Sequence, residues 1–247
     1  MNSEDVGVTF HYRRAFLKTI GLIGGMSWES TVPYYRQINE TIKDRLGGLH
    51  SAKIVLYSVD FHDIERLQHV GDWEAAGAML AEAASSLEKA GSDFLVLCTN
   101  TMHKVVPSIE AAVTIPLLHI ADPTAVKIKQ AGYKSVGLLG TRFTMEQAFY
   151  RDRLSKRHGL QVIVPNAEDR DTIHRVIYEE LCRGIIVPES RRAYRRIIES
   201  LSSQGAEAII LGCTEISLLV SQQDSNVLLF DTTAIHARAA AEMALAQ

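Results

Sequence analysis

Four short polar turns each follow an apolar run: Gly24-Gly25-Met26-Ser27, Cys98-Thr99-Asn100-Thr101, Gly140-Thr141 and Gly212-Cys213-Thr214. The Cys213 thiol is the strongest candidate among them for proton abstraction, beside the hydroxyl of Thr214 and near the carboxylate of Glu215. A cysteine in a strand-to-helix turn can have its thiolate favoured by helix N-terminal amides. Free cysteine also packs as a small hydrophobe, and that is the competing account of Cys213. Cys98 directly precedes Thr99, and adjacent side chains of an extended strand point to opposite faces. If Thr99 faces a cleft, Cys98 faces the core. Cys182, in Tyr178-Glu-Glu-Leu-Cys182, reads as a packing residue within a helix.

Thr99, Asn100, Thr101, Thr141 and Thr214 are short donors suited to holding a carboxylate together with backbone N–H groups. Met26 and Ser27 complete the candidate binding set. The same residue types are ordinary helix N-caps, and the two roles are compatible. His103 could cap or tune the pocket, or simply pack. Arg170 and His174 are candidates to meet a second carboxylate.

The elements that must position these turns alternate strand and helix. Thr19 to Ile23, Lys53 to Val59 and Asp93 to Leu97 read as strands, with helical spacing over Ser30 to Leu46 and Asp72 to Ala90. Strands then recur at Ser135 to Leu139, Leu160 to Val164, Ala208 to Leu211 and Val227 to Phe230. Between and after them, helices are expected over Met145 to His158, Asp171 to Arg183, Ser190 to Gln204 and Thr233 to Ala246. Such alternation predicts parallel sheets with helices on both faces, and ligands of open α/β sheets bind beyond the carboxyl ends of the strands.

The chain also repeats itself. Thr19-Ile-Gly-Leu-Ile-Gly24 matches Ser135-Val-Gly-Leu-Leu-Gly140, and Ser92 to Thr99 matches Ala206 to Cys213 at nearly the same offset. Any two βαβ units look alike, but agreement of both segment type and spacing points to an internal duplication. It places Thr99 and Cys213 at equivalent positions. Two halves packed face to face suit inversion at one carbon, with one group removing a proton and the other returning one to the opposite face. The expected organisation is a flexible tail over residues 1–16, a first half from 17–117 plus 225–247, and a second half from 118–224. The apolar link Ile115 to Ile120 is the expected crossover.

Of 247 residues, 47% are hydrophobic and 22% charged, with a net charge of −3. The balance points away from a nucleic-acid or membrane surface. No apolar run approaches the ~18 to 20 residues a membrane span needs, and the tail lacks the apolar core of a secretory signal. Three cysteines make no disulfide framework, so a reducing, cytoplasmic setting is expected. Gly21, Gly24 and Gly25 do not form G-x-G-x-x-G, and no G-x-x-x-x-G-K-[ST] occurs, so nucleotide binding lacks its usual signals. The histidines show no metal-ligand spacing, and no lysine sits in the four turns to form a Schiff base.

In order along the chain, Ile20-Gly-Leu-Ile-Gly-Gly-Met26, Thr99-Asn-Thr101, Leu138-Leu-Gly-Thr141 and Leu211-Gly-Cys-Thr-Glu215 resemble the aspartate/glutamate racemase family. The similarity runs from about Lys18 to the end. It implies two flavodoxin-like halves with the active site in the cleft between them, an acidic amino acid as substrate, no cofactor, and a homodimer. It also implies two opposed cysteine bases, and here the chain departs. The first motif of the family is Cys-Asn-Thr, whereas this chain has Thr99-Asn100-Thr101. A threonine hydroxyl is a far poorer base than a thiol of pKa ~8.5. In the family the second cysteine deprotonates the L-enantiomer. The resemblance therefore implies that Cys213 abstracts the α-proton of an L-substrate while Thr99, through water, donates on the other face. Maleate isomerase, hydantoin racemase and arylmalonate decarboxylase chemistry are the enzymatic alternatives, and a non-catalytic amino-acid-binding protein is the alternative outside catalysis.

Overall fold

Ile20, Leu22 and Ile23 are fully buried because their strand, β1 (Thr19–Gly24), is covered on both faces. A computed structural model of the chain describes residues 17–246, and the tail expected over 1–16 lies outside them. β1 is followed by α1 (Trp28–Leu46), β2 (Lys53–Ser58), α2 (Phe61–Val70), α3 (Trp73–Lys89) and β3 (Phe94–Leu97). A 3-10 turn (Thr101–Val105), α4 (Val106–Ala112), β4 (Leu117–Leu118) and α5 (Ala121–Gln130) lead into the second half. There β5 (Ser135–Gly140), α6 (Arg142–Glu146), α7 (Ala148–Asp152), β6 (Gln161–Ile163), α8 (Ala167–Glu179) and α9 (Pro188–Ser203) follow. The described chain closes with β7 (Ala208–Gly212), α10 (Ile216–Leu219), β8 (Leu228–Asp231) and α11 (Thr232–Leu245).

The strands form two parallel four-stranded sheets of identical order, β2-β1-β3-β4 and β6-β5-β7-β8. The repeat seen in the sequence is thus a repeat of topology. In each sheet the order reverses between the two central strands, β1 and β3 or β5 and β7, where a crevice opens at the carboxyl ends. All four candidate turns leave those central strands. Gly140 and Gly212 let β5 and β7 run close together: a Cβ at Gly140 would lie 2.8 Å from the Gly212 carbonyl oxygen, and one at Gly212 2.7 Å from that of Leu139.

Alternation along β3 is clear. Phe94, Val96 and Cys98 join the core that α1 and α11 cover, while Leu95 and Leu97 join the core under α3 and α4. The segment expected to return whole to the first half divides instead. β8 stays in the second sheet, paired with β7 from Ala208↔Leu228 to Leu211↔Asp231, because Phe230 completes the second core. Only α11 crosses over. Its Ala237, Ala240, Ala241 and Ala244 share a core with Tyr34, Ile38 and Ile42 of α1, small side chains allowing the two helices to approach closely.

Three helices differ from expectation. The one expected over Met145 to His158 is broken where Gln147 takes an extended conformation (φ −87°, ψ 152°), giving α6, α7 and a π turn over Arg153–Arg157. α8 starts earlier than expected because Asn166 caps it, accepting from the Asp169 amide at 2.9 Å. It also ends before Cys182, which lies in a 3-10 turn (Leu181–Arg183) rather than within a helix. α2 was not anticipated; Asp60 caps it, and its Ile64 and Leu67 are buried under α3.

Candidate active site

The four turns converge at the seam between the halves, and each cross-link joins one half to the other. Thr101 Oγ1 and Thr141 Oγ1 lie 2.9 Å apart, joining the β3 turn to the β5 turn. Ser27 joins the β1 turn to the β7 turn: its hydroxyl donates to Glu215 Oε1 at 2.8 Å and its backbone N–H to the same oxygen at 3.3 Å. By the offset that pairs Thr99 with Cys213, Thr101 pairs with Glu215. The two cross-links therefore join corresponding turns of the repeat, one neutral and one carrying a carboxylate.

Glu215 organises the second-half turn. Its Oε2 accepts from the Cys213 thiol at 3.0 Å and from the Thr214 hydroxyl at 2.8 Å. Both carboxylate oxygens are engaged, and the residue is only 2% exposed. The expectation that helix amides favour the Cys213 thiolate is overturned. Burial pushes the thiol well above its ordinary value, and the adjacent negative charge of Glu215 pushes it further. The Glu215 backbone N–H acts in the opposite direction and is outweighed. In this closed arrangement Cys213 is a protonated thiol aimed at a carboxylate that can take its proton.

The equivalent turn of the first half carries no thiol at the matching position. Cys98 points into the apolar core, its sulfur 3.8 Å from the Val96 carbonyl oxygen, and burial pushes its thiol far up. The Thr99 carbonyl accepts from His103 Nδ1 at 2.7 Å, while His103 Nε2 accepts from the Ile120 amide at 3.1 Å. That pairing fixes the Nδ1–H tautomer. Burial, with His119 and His236 close by, holds the ring neutral, its pKa well below the usual histidine range. His103 therefore anchors the turn that carries Thr99.

Asn100 donates from Nδ2 to Thr232 Oγ1 at 3.1 Å, and Thr232 passes the bond on to the Leu211 carbonyl at 2.8 Å. The Asn100 Oδ1 atom is buried with no partner, an acceptor left open beside the seam. Thr141 also caps α6 through the Thr144 amide, so capping and site lining coincide there. Ser27, Thr99, Asn100, Thr101, Thr141, Cys213, Thr214 and Glu215 are between 2% and 8% exposed, so a ligand must enter by separation of the halves. Met26 is buried in the apolar cluster with Ile64, Leu67 and Met102; its side chain packs there.

The two candidates for a second carboxylate sit elsewhere. Arg170 is held by Glu146 (2.8 Å) and by the Pro165 carbonyl (2.7 Å). His174 Nδ1 accepts from the Arg142 amide at 3.2 Å, and its ring packs against Phe143 and Tyr178. His174 lines a cavity of about 420 Å³ between α2 and α8, with Gln68, Arg142, Arg175 and Tyr178. The cavity lies where α2 of the first half faces α8 of the second. Tyr178 donates to Gln68 Oε1 at 2.7 Å across it, and Phe61 stacks on Tyr178 while Trp73 meets Phe143 edge-on. Sequence reasoning missed Gln68 and Tyr178. The one available signal was a glutamine on the apolar face of α2.

Among the described residues, no group of three or more His, Cys, Asp or Glu side chains is arranged to hold a metal, and no helix is long and apolar enough to cross a membrane.

A sequence profile described as Asp/Glu/hydantoin racemase matches residues 23–240. The broad-specificity amino-acid racemase RacX of Bacillus subtilis is 26% identical over 235 residues, covering 92% of this chain and 98% of that protein. A Yersinia pestis crystal structure described as a candidate Asp/Glu racemase is 63% identical with a TM-score of 0.87, covering 93% of this chain and 100% of that one. An aspartate racemase homologue from Pyrococcus horikoshii is 35% identical with a TM-score of 0.78, over 92% and 99% of the two chains.

Proposed function

The chain belongs to the Asp/Glu/hydantoin racemase family, and from that premise we propose that it racemises an acidic amino acid, aspartate or glutamate, with Cys213 as its single thiol base. The observation that carries this reading is the Cys213–Glu215 hydrogen bond of 3.0 Å at the end of β7, set against a threonine at the equivalent position after β3.

The chemistry runs in balanced steps. When the seam opens to admit substrate, the thiol proton moves to Glu215, leaving a thiolate and a carboxylic acid. The thiolate removes the α-proton from one face of the substrate. The carbanion is reprotonated from the other face by a water held on the Thr99 hydroxyl, and the hydroxide so formed recovers a proton from Glu215. Asn100 Oδ1 supplies an acceptor for the substrate ammonium, and Thr101, Thr141 and Thr214 supply donors for the α-carboxylate. Since a hydroxyl cannot act as the mirror-image base, abstraction from the L-enantiomer outruns abstraction from the D-enantiomer. Every role is filled by a protein side chain or water, so the reaction as proposed needs no cofactor. A cytoplasmic setting, where thiols stay reduced, suits a chain that works through a free thiol.

The test is proton NMR of L- and D-aspartate and L- and D-glutamate in D2O, with wild-type protein beside Cys213→Ser. Loss of the α-proton signal from an L-substrate, absent in the variant, supports the reading. Thermal stabilisation by these ligands without any exchange overturns it in favour of a binding protein.

A further inference from the structure

Two segments carry the chain between the halves, and both are bonded to the turn that bears Thr99. β4 belongs to the first sheet, but Ala121, Ala125 and Ile128 of α5, which follows it, are buried in the second core. β8 belongs to the second sheet, and α11 after it covers the first core. The halves thus exchange their last helices, and the chain crosses over at residues 118–121 and 231–232. One half turns against the other about these two crossovers.

Three buried histidines hold the first crossover. His103 Nε2 accepts from the Ile120 amide at 3.1 Å, and His119 Nδ1 from the Ala121 amide at 3.2 Å. His236 Nε2 donates to the Leu118 carbonyl at 2.9 Å. Since a carbonyl only accepts, His236 Nδ1 is left to take the Tyr34 hydroxyl at 2.9 Å. His236 stands on α11, so it ties the helix of one crossover to the other crossover. Thr232, fully buried, holds the second. Its hydroxyl accepts from Asn100 Nδ2 at 3.1 Å and donates to the Leu211 carbonyl at 2.8 Å. Asn100 adjoins Thr99, and Leu211 lies two residues before Cys213. One hydroxyl therefore joins the end of β3 to the end of β7. His103 completes the frame by donating from Nδ1 to the Thr99 carbonyl at 2.7 Å.

We propose, resting on the racemase reading, that Thr232 and His103 are positioning residues for protonation on the Thr99 face. They set the Thr99 turn against both crossovers and against the Cys213 turn, so that it returns to one place whenever the halves close. Positioning acts steeply: a misplacement of about 1 Å can cost about 10²-fold in rate. Abstraction by Cys213 does not use Thr99, whereas return of a proton to the opposite face does. With the Thr99 turn loosened, the carbanion takes its proton back from Cys213, whose thiol has meanwhile exchanged with solvent. The α-proton is then still lost to D2O, but the L-configuration is retained.

The test compares wild type, Thr232→Val, Thr232→Ser and His103→Phe on saturating L-aspartate and L-glutamate in D2O. Proton NMR reads loss of the α-proton, and chiral chromatography of the same samples reads the D-enantiomer formed. The ratio of inversion to exchange is expected to fall at least tenfold in Thr232→Val and His103→Phe, with α-proton loss within about threefold of wild type. Thr232→Ser keeps the hydroxyl and should keep the wild-type ratio. A merely structural role lowers both rates together and leaves the ratio unchanged, which overturns the proposal. So does a ratio in Thr232→Ser as low as in Thr232→Val. A wild type that removes no α-proton overturns the racemase reading and the proposal with it, whereas exchange by wild type with unchanged ratios in the variants overturns the proposal alone.

Discussion

Ser27 Oγ lies 2.8 Å from Glu215 Oε1, a bond that spans 188 positions of sequence and joins the ends of the two sheets. The bond that joins the other two turns, Thr101 to Thr141, is between two neutral hydroxyls. The duplicated scaffold has therefore become chemically one-sided. The β7 turn pairs a cysteine with a carboxylate that accepts its hydrogen bond, and the β3 turn has Thr99 and Thr101 at the matching positions.

Replacing Glu215 by Gln tests that asymmetry. The amide keeps the shape but removes the acceptor charge for the thiol proton, so kcat is expected to fall about 10²- to 10³-fold, within the range of general acid–base contributions, with KM changed far less. The negative charge of Glu215 is one reason the Cys213 thiol is held high, so the ionisation of the thiol, which sets the acidic limb of the pH–rate profile for a thiolate base, moves to lower pH in the variant. Steady-state kinetics across pH reads both. An unchanged kcat would remove Glu215 from the proton path.

Thr99→Cys makes the opposite change. A thiol placed on the face equivalent to Cys213 supplies the missing base, and α-proton exchange from the D-enantiomer is expected to rise at least tenfold relative to exchange from the L-enantiomer. Deuterium incorporation followed separately from the two enantiomers measures it. Cys98→Ser, one residue earlier but turned into the core, leaves the ratio unchanged and lowers stability only.

Much of this arrangement was legible in the sequence because it depends on local rules. Two copies of a strand ending in glycine mark the repeat, and alternation along Phe94 to Thr99 places Cys98 in the core. What stayed hidden depends on distant partners. Glu215 was noted only as a neighbour of Cys213, since no local rule says that Ser27 crosses the seam to meet it. Arg170 follows the strand that ends near Val164, a place from which it could meet a second carboxylate, yet Glu146 and the Pro165 carbonyl hold it. The C-terminal segment defied prediction because β8 and α11, consecutive in sequence, complete different cores.

The three packed histidines predict how the fold responds to acid. His103, His119 and His236 are buried and neutral, with His236 at about 4 and His119 at about 2, whereas a free histidine titrates near ~6.5. Above that value folded and unfolded chains bind the same number of protons at these sites, so they contribute no pH dependence. Below it the unfolded chain gains protons that the folded chain refuses, and stability falls by about 1.4 kcal/mol per pH unit per histidine. At pH 5 the loss is about 2 kcal/mol for each. Urea denaturation from pH 7.5 to 4.5 should show this slope, and His236→Gln should reduce it by about one third while lowering stability at neutral pH.

Entry to the site is the last step the structure makes testable. Cys213 is 8% exposed, so neither substrate nor a thiol reagent reaches it until the seam parts. Between α2 and α8, Tyr178 O–H donates to Gln68 across the seam, and the same Gln68 donates from Nε2 to Met102, next to Thr101. Removing the hydroxyl in Tyr178→Phe deletes one net hydrogen bond worth about 1 kcal/mol while keeping the ring that stacks on Phe61. The open population should rise about fivefold, and alkylation of Cys213 by iodoacetamide should accelerate by the same factor. Peptide mapping separates that cysteine from Cys98 and Cys182. Saturating L-aspartate or L-glutamate, held between the halves, should slow the reaction in both proteins. If the alkylation rate of Tyr178→Phe equals that of wild type, the halves separate along another line and the Gln68 contact does not govern access.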